Sequence, residues 1–228
     1  MTDTKAPARQ RAGGRASRRA LRTATDITML PGLTNTLPLC EVMDGAQVEA
    51  IDVASMDILE NVGVQFRDPI ALEDWRRAGA KVDGEMVYLD RGLVRGLIAS
   101  IPEKFTYHAR NPAKNVPLGG RQAMFVPMTG APYLRDLEDK RRNPTLDDLA
   151  MFHKLAHMMP AMHSSAHHIV EPYDHAISHR HLRITHSSMK YSDKTFMGMT
   201  TSPKNAEDVL DMCAILFGAD FLERHPVV

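Results

Sequence analysis

"AMHSSAHHIVEPYDHAISHRHLRITHSSMKYSDKTFMGMTTSP", residues 161–203, decides the fold because it reads as strand, helix, strand. "AMHSSAHHIVEP" is a strand stopped by Pro172, "YDHAISHRHLRITHSSMKYS" is a helix, and "KTFMGMTTSP" is a second strand. The alternation continues on both sides. Upstream, "QAMFVPMTG" (122–130) is a compact apolar strand. "NPTLDDLAMFHKLAHMMP" (143–160) is a helix with Thr145 as N-cap and Asp148 three residues later, a capping-box start. Downstream, "SPKNAEDVLDMCAILFGAD" (202–220) is a helix capped by Ser202, with Pro203 at its first position and Gly218 at its end. Three β-α units at a spacing of about 30 residues imply a parallel sheet under covering helices. Such a sheet is either open and doubly wound or part of a (β/α)8 barrel.

Residues 31–120 read differently. "DGAQVEAIDVASMDILENVG" (44–63) is a helix capped by Asp44, with Val48, Ile51, Met56, Ile58 and Leu59 expected on one face and Gly63 closing it. "DPIALEDWRRAGAKV" (68–82) is a second helix, with Asp68 as cap and Pro69 first. Asp83-Gly84 signals a hairpin turn, and "RGLVRGLIASIP" (91–102) is a third short helix. The chain thus divides into a basic tail (1–30), a small α+β extension (31–120) and β-α units (121–228). The Arg-rich tail is too polar and Gly-rich to bury a core and is expected to be a solvated tail.

Composition narrows the function classes. Net charge is zero with His neutral, which argues against whole-surface attraction to nucleic acid or anionic membrane. Two distant cysteines, Cys40 and Cys213, exclude a disulfide framework and fit a reducing cytoplasm. No apolar run approaches the roughly 18–20 residues of a membrane span. "PLGGRQ" (117–122) precedes a strand instead of opening a helix, so no dinucleotide fingerprint is supported.

Nine of eleven histidines crowd into residues 153–186. His153/His157 and His175/His179 have i, i+4 spacing, as in a zinc-binding helix. "HKLAH" and "HAISH" lack the adjacent general-base Glu, and no third ligand is close in sequence, so no metal site is assigned and these rings are expected on outer helix faces. The strand histidines differ. Side chains alternate along a strand, placing His168, Val170 and Pro172 on one face and His167, Ile169 and Glu171 on the other. Functional groups of parallel α/β folds gather at the C-terminal ends of strands. Glu171 stands at such an end, as do Met128 after the first strand and Thr200, Thr201 and Ser202 after the third. Each also has a structural reading, as a capping acid, a core histidine or turn hydroxyls.

Several stretches together resemble the trimethylamine methyltransferase family in its form without pyrrolysine: "ILENVGVQFRDPIALEDWRRAGAKVDGEMVYLDRGLVRGLI", "FTYHARNPAKNVPLGG", "GAPYLRDLEDKRRNPTLDDL", "HHIVEP" and "SDKTFMGMTTSP". The resemblance runs from about residue 9 to the end. It implies a (β/α)8 barrel preceded by an N-terminal extension, incomplete here because family members are roughly twice as long. It also implies transfer of a methyl group from a tertiary or quaternary amine, such as trimethylamine or a betaine, to a corrinoid. The chain has no Asp-x-His-x-x-Gly signature for holding a corrinoid, so a partner corrinoid protein is expected to carry it. An amine cation calls for an acid or aromatic faces. Glu171 and Tyr173 are the candidates, with His168 positioning substrate or shuttling a proton. Thr200 and Thr201 would hydrogen-bond a betaine carboxylate, and Met128 would line the substrate site.

Two other readings compete. One is a metal-dependent barrel hydrolase using the histidines. The other is a non-catalytic binding fragment, which a defined homo-oligomer of this length would favour. Under the leading reading, the 228-residue chain by itself is expected to show no methyl transfer.

Overall fold

The structure is a computed structural model, and it describes residues 28–38 and 40–228. The basic tail assigned to residues 1–30 therefore lies almost wholly outside the described residues. The architecture is mixed α/β, with seven α-helices among the described residues. None of them is long and apolar enough to cross a membrane. The described chain divides into two compact units. One comprises residues 34–105 and 119–121; the other comprises residues 28–33, 106–118 and 122–228.

In the first unit, α1 (Gly45–Asp57) starts at a complete capping box, Asp44 with Gln47. The expected apolar face does not hold. Met56 is buried and Leu59 packs on the core, but Val48, Ile51 and Ile58 are exposed. The helix widens into a π-turn over Ile58–Val62, closed by a bond from Gly63 N–H to the Ile58 carbonyl. That turn inserts a residue into the helical period, which separates Ile58 from Leu59 and the core; nothing among the described residues covers Val48 and Ile51. α2 (Pro69–Arg77) begins at Asp68, which accepts from the N–H groups of Ile70 and Ala71. A three-stranded antiparallel sheet follows, from β1 (Val64–Gln65), β2 (Lys81–Asp83) and β3 (Met86–Tyr88). Asp83 pairs with Met86, so the turn is Gly84-Glu85, one residue later than the Asp83-Gly84 signal suggests. Gly84 alone takes the left-handed φ of +57°. The core is Leu72, Val87 and Leu89, joined by Phe66, Trp75 and residues of α3 (Arg91–Ala99).

The second unit carries the β-α alternation. Its helices are α4 (Leu146–Met158), α5 (Ile177–Tyr191), α6 (Pro203–Phe217) and the short α7 (Ala219–Leu222). A small hairpin, β4 (Leu134–Arg135) with β5 (Arg141–Arg142), precedes α4. Between the helices run three extended staves, in parallel and in sequence order. His163 N–H bonds the Phe125 carbonyl at 2.9 Å, Gly130 N–H bonds the His168 carbonyl at 2.7 Å, and Ser165 N–H bonds the Thr195 carbonyl at 2.9 Å. These staves are not the continuous strands that the sequence suggests. They pair through isolated parallel bridges, Ala131 with Val170 and Ser164 with Thr195. Pro127 has no N–H to give, and Ala166 sits at φ +56°, a left-handed conformation rare outside glycine. Side-chain hydroxyls bridge where the ladder is broken: Ser164 donates to the Thr195 carbonyl and Thr195 to the His163 carbonyl.

The start of α4 is tied more firmly than a cap alone provides. Thr145 and Asp148 form the expected capping box, and Arg142 grips both carboxylate oxygens of Asp148 at 2.7 Å. That guanidinium holds the buried carboxyl far below its ordinary range. Asp148→Ala is expected to cost about 2 kcal/mol of stability, because it removes a cap and a bidentate partner together. A lower urea midpoint at unchanged slope checks this.

Candidate active site

The second stave ends in Glu171 and Pro172, and α5 begins six residues after Glu171. A cavity of about 520 Å³ opens here, lined by His167, His168, Glu171, Arg180, Thr200 and Thr201, with Ile177, Gly198, Met199 and Asn205. The structure thus brings together four of the six sequence candidates. Met128 is 82% exposed and Tyr173 is 44% exposed, and neither is among the residues lining the cavity.

Strict alternation would separate His167 from His168. Instead both line the cavity, with Nδ1 atoms 3.1 Å apart and rings edge to face. The chain bends at His167 and again at Ile169 and forms no continuous strand there, so the period of two does not apply. Burial, reinforced by His168 and His153, pushes His167 down to about 3, so its ring is neutral at physiological pH. The third stave supplies Thr200 and Thr201, and the Thr201 hydroxyl accepts from Asn205 Nδ2 at 2.8 Å.

Glu171 is paired. Its Oε1 accepts from Arg180 Nη1 at 2.6 Å. Arg180 also gives its Nε and Nη2 hydrogens to the His175 carbonyl, at 3.1 and 2.8 Å, and its guanidinium lies 5.5 Å from the Tyr173 ring centre. Sequence reasoning missed Arg180. A signal was present: it is the fourth residue of α5, where the helix dipole disfavours a cation, so an arginine there needs an acid nearby.

The expectation for the helix histidines is corrected at His153. It is fully buried and turned toward the staves. Its Nε2 donates to the His167 carbonyl at 2.7 Å, which leaves Nδ1 to accept from Ser187 Oγ at 2.9 Å. His163 likewise accepts from Phe125 N–H through Nδ1 and donates to the Pro31 carbonyl through Nε2. Both rings tie separate segments together, which an outer-face position could not do. His157 lies 3.3 Å from Asp193, and His179 is exposed beside Ser178. Among the described residues no group of three or more His, Cys, Asp or Glu is placed to hold a metal ion.

Comparison with known proteins identifies the family. Residues 11–228 match the family described as "Trimethylamine methyltransferase (MTTB)". The glycine betaine methyltransferase of Desulfitobacterium hafniense (strain Y51) is 42% identical over 193 residues, covering 84% of this chain and 40% of that protein. The trimethylamine methyltransferase MttB of D. hafniense (strain DSM 10664 / DCB-2) is 25% identical over 189 residues, covering 79% of this chain and 37% of its own length. The proline betaine:corrinoid methyltransferase of Eubacterium limosum is 31% identical over 109 residues, 47% of this chain and 22% of its own. The chain spans about two fifths of the length of the first two relatives. With a family match over nearly its whole sequence, the chain belongs to the trimethylamine methyltransferase family.

Proposed function

We propose that this chain forms the amine-binding side of a methyltransferase that moves a methyl group from a tertiary or quaternary amine to a corrinoid carried by a partner protein. The observation that supports it most is the polar cavity at the ends of the second and third staves, where an α/β enzyme keeps its chemistry. On this reading the staves are the first part of a (β/α)8 barrel. A cavity of about 520 Å³ suits a small amine and not a corrin macrocycle, so the corrinoid is presented from outside. The bound corrinoid supplies the methyl acceptor.

The chain's own residues bind and orient the amine. Glu171 faces the substrate nitrogen, His168 positions it, and Thr200 and Thr201 offer hydroxyls on the far wall. Met128 and Tyr173 contribute from the rim. A quaternary nitrogen leaves as a neutral amine, whereas a tertiary amine must first be protonated. His167 is held neutral by burial, and the Glu171 carboxylate is occupied by Arg180. This favours quaternary substrates.

The test uses the protein purified from its own cells, so that any continuation of the chain is retained. Mixed with cob(I)alamin, it is expected to methylate the corrinoid from glycine betaine faster than from trimethylamine, read by absorbance. Failure with every N-methylated amine overturns the reading.

A further inference from the structure

We propose that Arg180 reads a carboxylate on the substrate, and that Glu171 holds the place of that carboxylate while the site is empty. The inference rests on the amine-binding reading above and assigns the residue that tells a zwitterion, with a quaternary ammonium and a carboxylate, from a bare cation.

The charges carry the argument. A pocket for a bare quaternary cation would offer a free acid or an aromatic wall. Here the acid lining the cavity is already taken by Arg180. Arg180 and Glu171 are largely buried, with side chains 13% and 24% exposed. Three of the five guanidinium N–H groups serve Glu171 and the His175 carbonyl.

A ligand with only a cation finds Glu171 occupied. A ligand with only a carboxylate takes Arg180 and strands Glu171 as an unpaired, half-buried anion, which is costly. A zwitterion leaves every charge paired: its carboxylate replaces Glu171 on Arg180, and Glu171 turns to its ammonium. Arg180 is desolvated before and after, so the exchange avoids a new desolvation cost at that end.

The experiment is calorimetric binding to the protein with any continuation of its chain retained, using three probes: glycine betaine, tetramethylammonium and acetate. Wild type is expected to bind glycine betaine about tenfold or more tighter than either fragment. Arg180→Gln should weaken glycine betaine by about tenfold or more, yet strengthen tetramethylammonium, because Glu171 is released. Glu171→Gln should weaken glycine betaine and strengthen acetate. Gains and losses in opposite directions cannot come from misfolding, and each variant tests the idea if the other does not fold. Unchanged glycine betaine affinity in Arg180→Gln, or parallel losses for all probes in Glu171→Gln, overturns it. Absence of glycine betaine binding to wild type does so too. Binding and methyl transfer are separate readouts. Arg180-dependent binding without corrinoid methylation sinks the methyltransferase reading alone, and methylation indifferent to Arg180 sinks this one alone.

Discussion

Between pH 6.5 and pH 5 the folded chain is expected to lose about 2 kcal/mol of stability from His167 alone. The sign follows from proton counting. Unfolded, His167 takes up a proton near its ordinary value of 6.5, but folded it resists protonation down to about 3. Through that window the unfolded state binds more protons, so stability drops as the pH drops; about one unit above 6.5 both states are deprotonated and the effect vanishes. His153 acts in the same direction, because burial lowers it as well. Its Nδ1 is needed as an acceptor for Ser187, and protonation would destroy that bond. The groups facing His167 give no relief, since His168, His153 and His181 are all bases that would repel the new charge. The check is the urea midpoint measured at intervals from pH 7.5 to pH 5: below about pH 6.5 the unfolding free energy should decline by up to about 1.4 kcal/mol per unit from His167, with His153 adding in the same direction. His167→Gln should remove about one proton's worth of that slope. A flat profile would mean that these rings are not held neutral.

The same histidines show what was legible in the sequence and what was not. Local chemistry was legible. Asp44, Asp68, Thr145 and Ser202 each cap the helix expected from them, and Pro69 and Pro203 stand at first positions. A cap is decided within three or four residues, so spacing alone reveals it. The order of strands and helices in residues 122–217 was legible for a similar reason, through hydrophobic period. What failed depended on partners far away in sequence. His153 sits at an unexceptional helix position, and only the carbonyl of His167 and the serine of the next helix explain why it is buried. The pleat of the second stave was expected to sort its side chains by parity. Bends at His167 and Ile169, with no glycine or proline at either position to announce them, put His167 and His168 in the same cavity. Glu171 was found from its place at a strand end, but its partner Arg180 comes from the following helix. The acid was therefore placed from the sequence, but its partner was not.

Replacing Lys194 with methionine is expected to cost about 2–4 kcal/mol, more than most substitutions in this chain. Lys194 is 1% exposed, yet it lies between elements and not in an ion pair. Its ammonium donates to three carbonyls: Ala156 at 2.8 Å, Met159 at 2.7 Å and Met162 at 2.7 Å. These lie at and just beyond the C-terminal end of α4, where carbonyls lack helical partners and the dipole favours a cation. Burial pushes the lysine down to about 8, which still leaves it charged at neutral pH. Methionine keeps most of the stem's volume but supplies no donor, so buried carbonyls are left unsatisfied. The position also matters for the site. Lys194 opens the third stave, six residues ahead of Thr200, and so fastens that stave to the end of α4. The variant should therefore lower the urea midpoint and also speed amide exchange at Ser165 and Met197, whose N–H groups join the second and third staves. A loss below about 1 kcal/mol would show that the carbonyls find other partners, and that Lys194 is not what holds the stave. A full loss with slow exchange at Met197 would locate the damage in α4 alone. The expected result is both together, because one ammonium serves the helix end and the stave that carries the cavity's far wall.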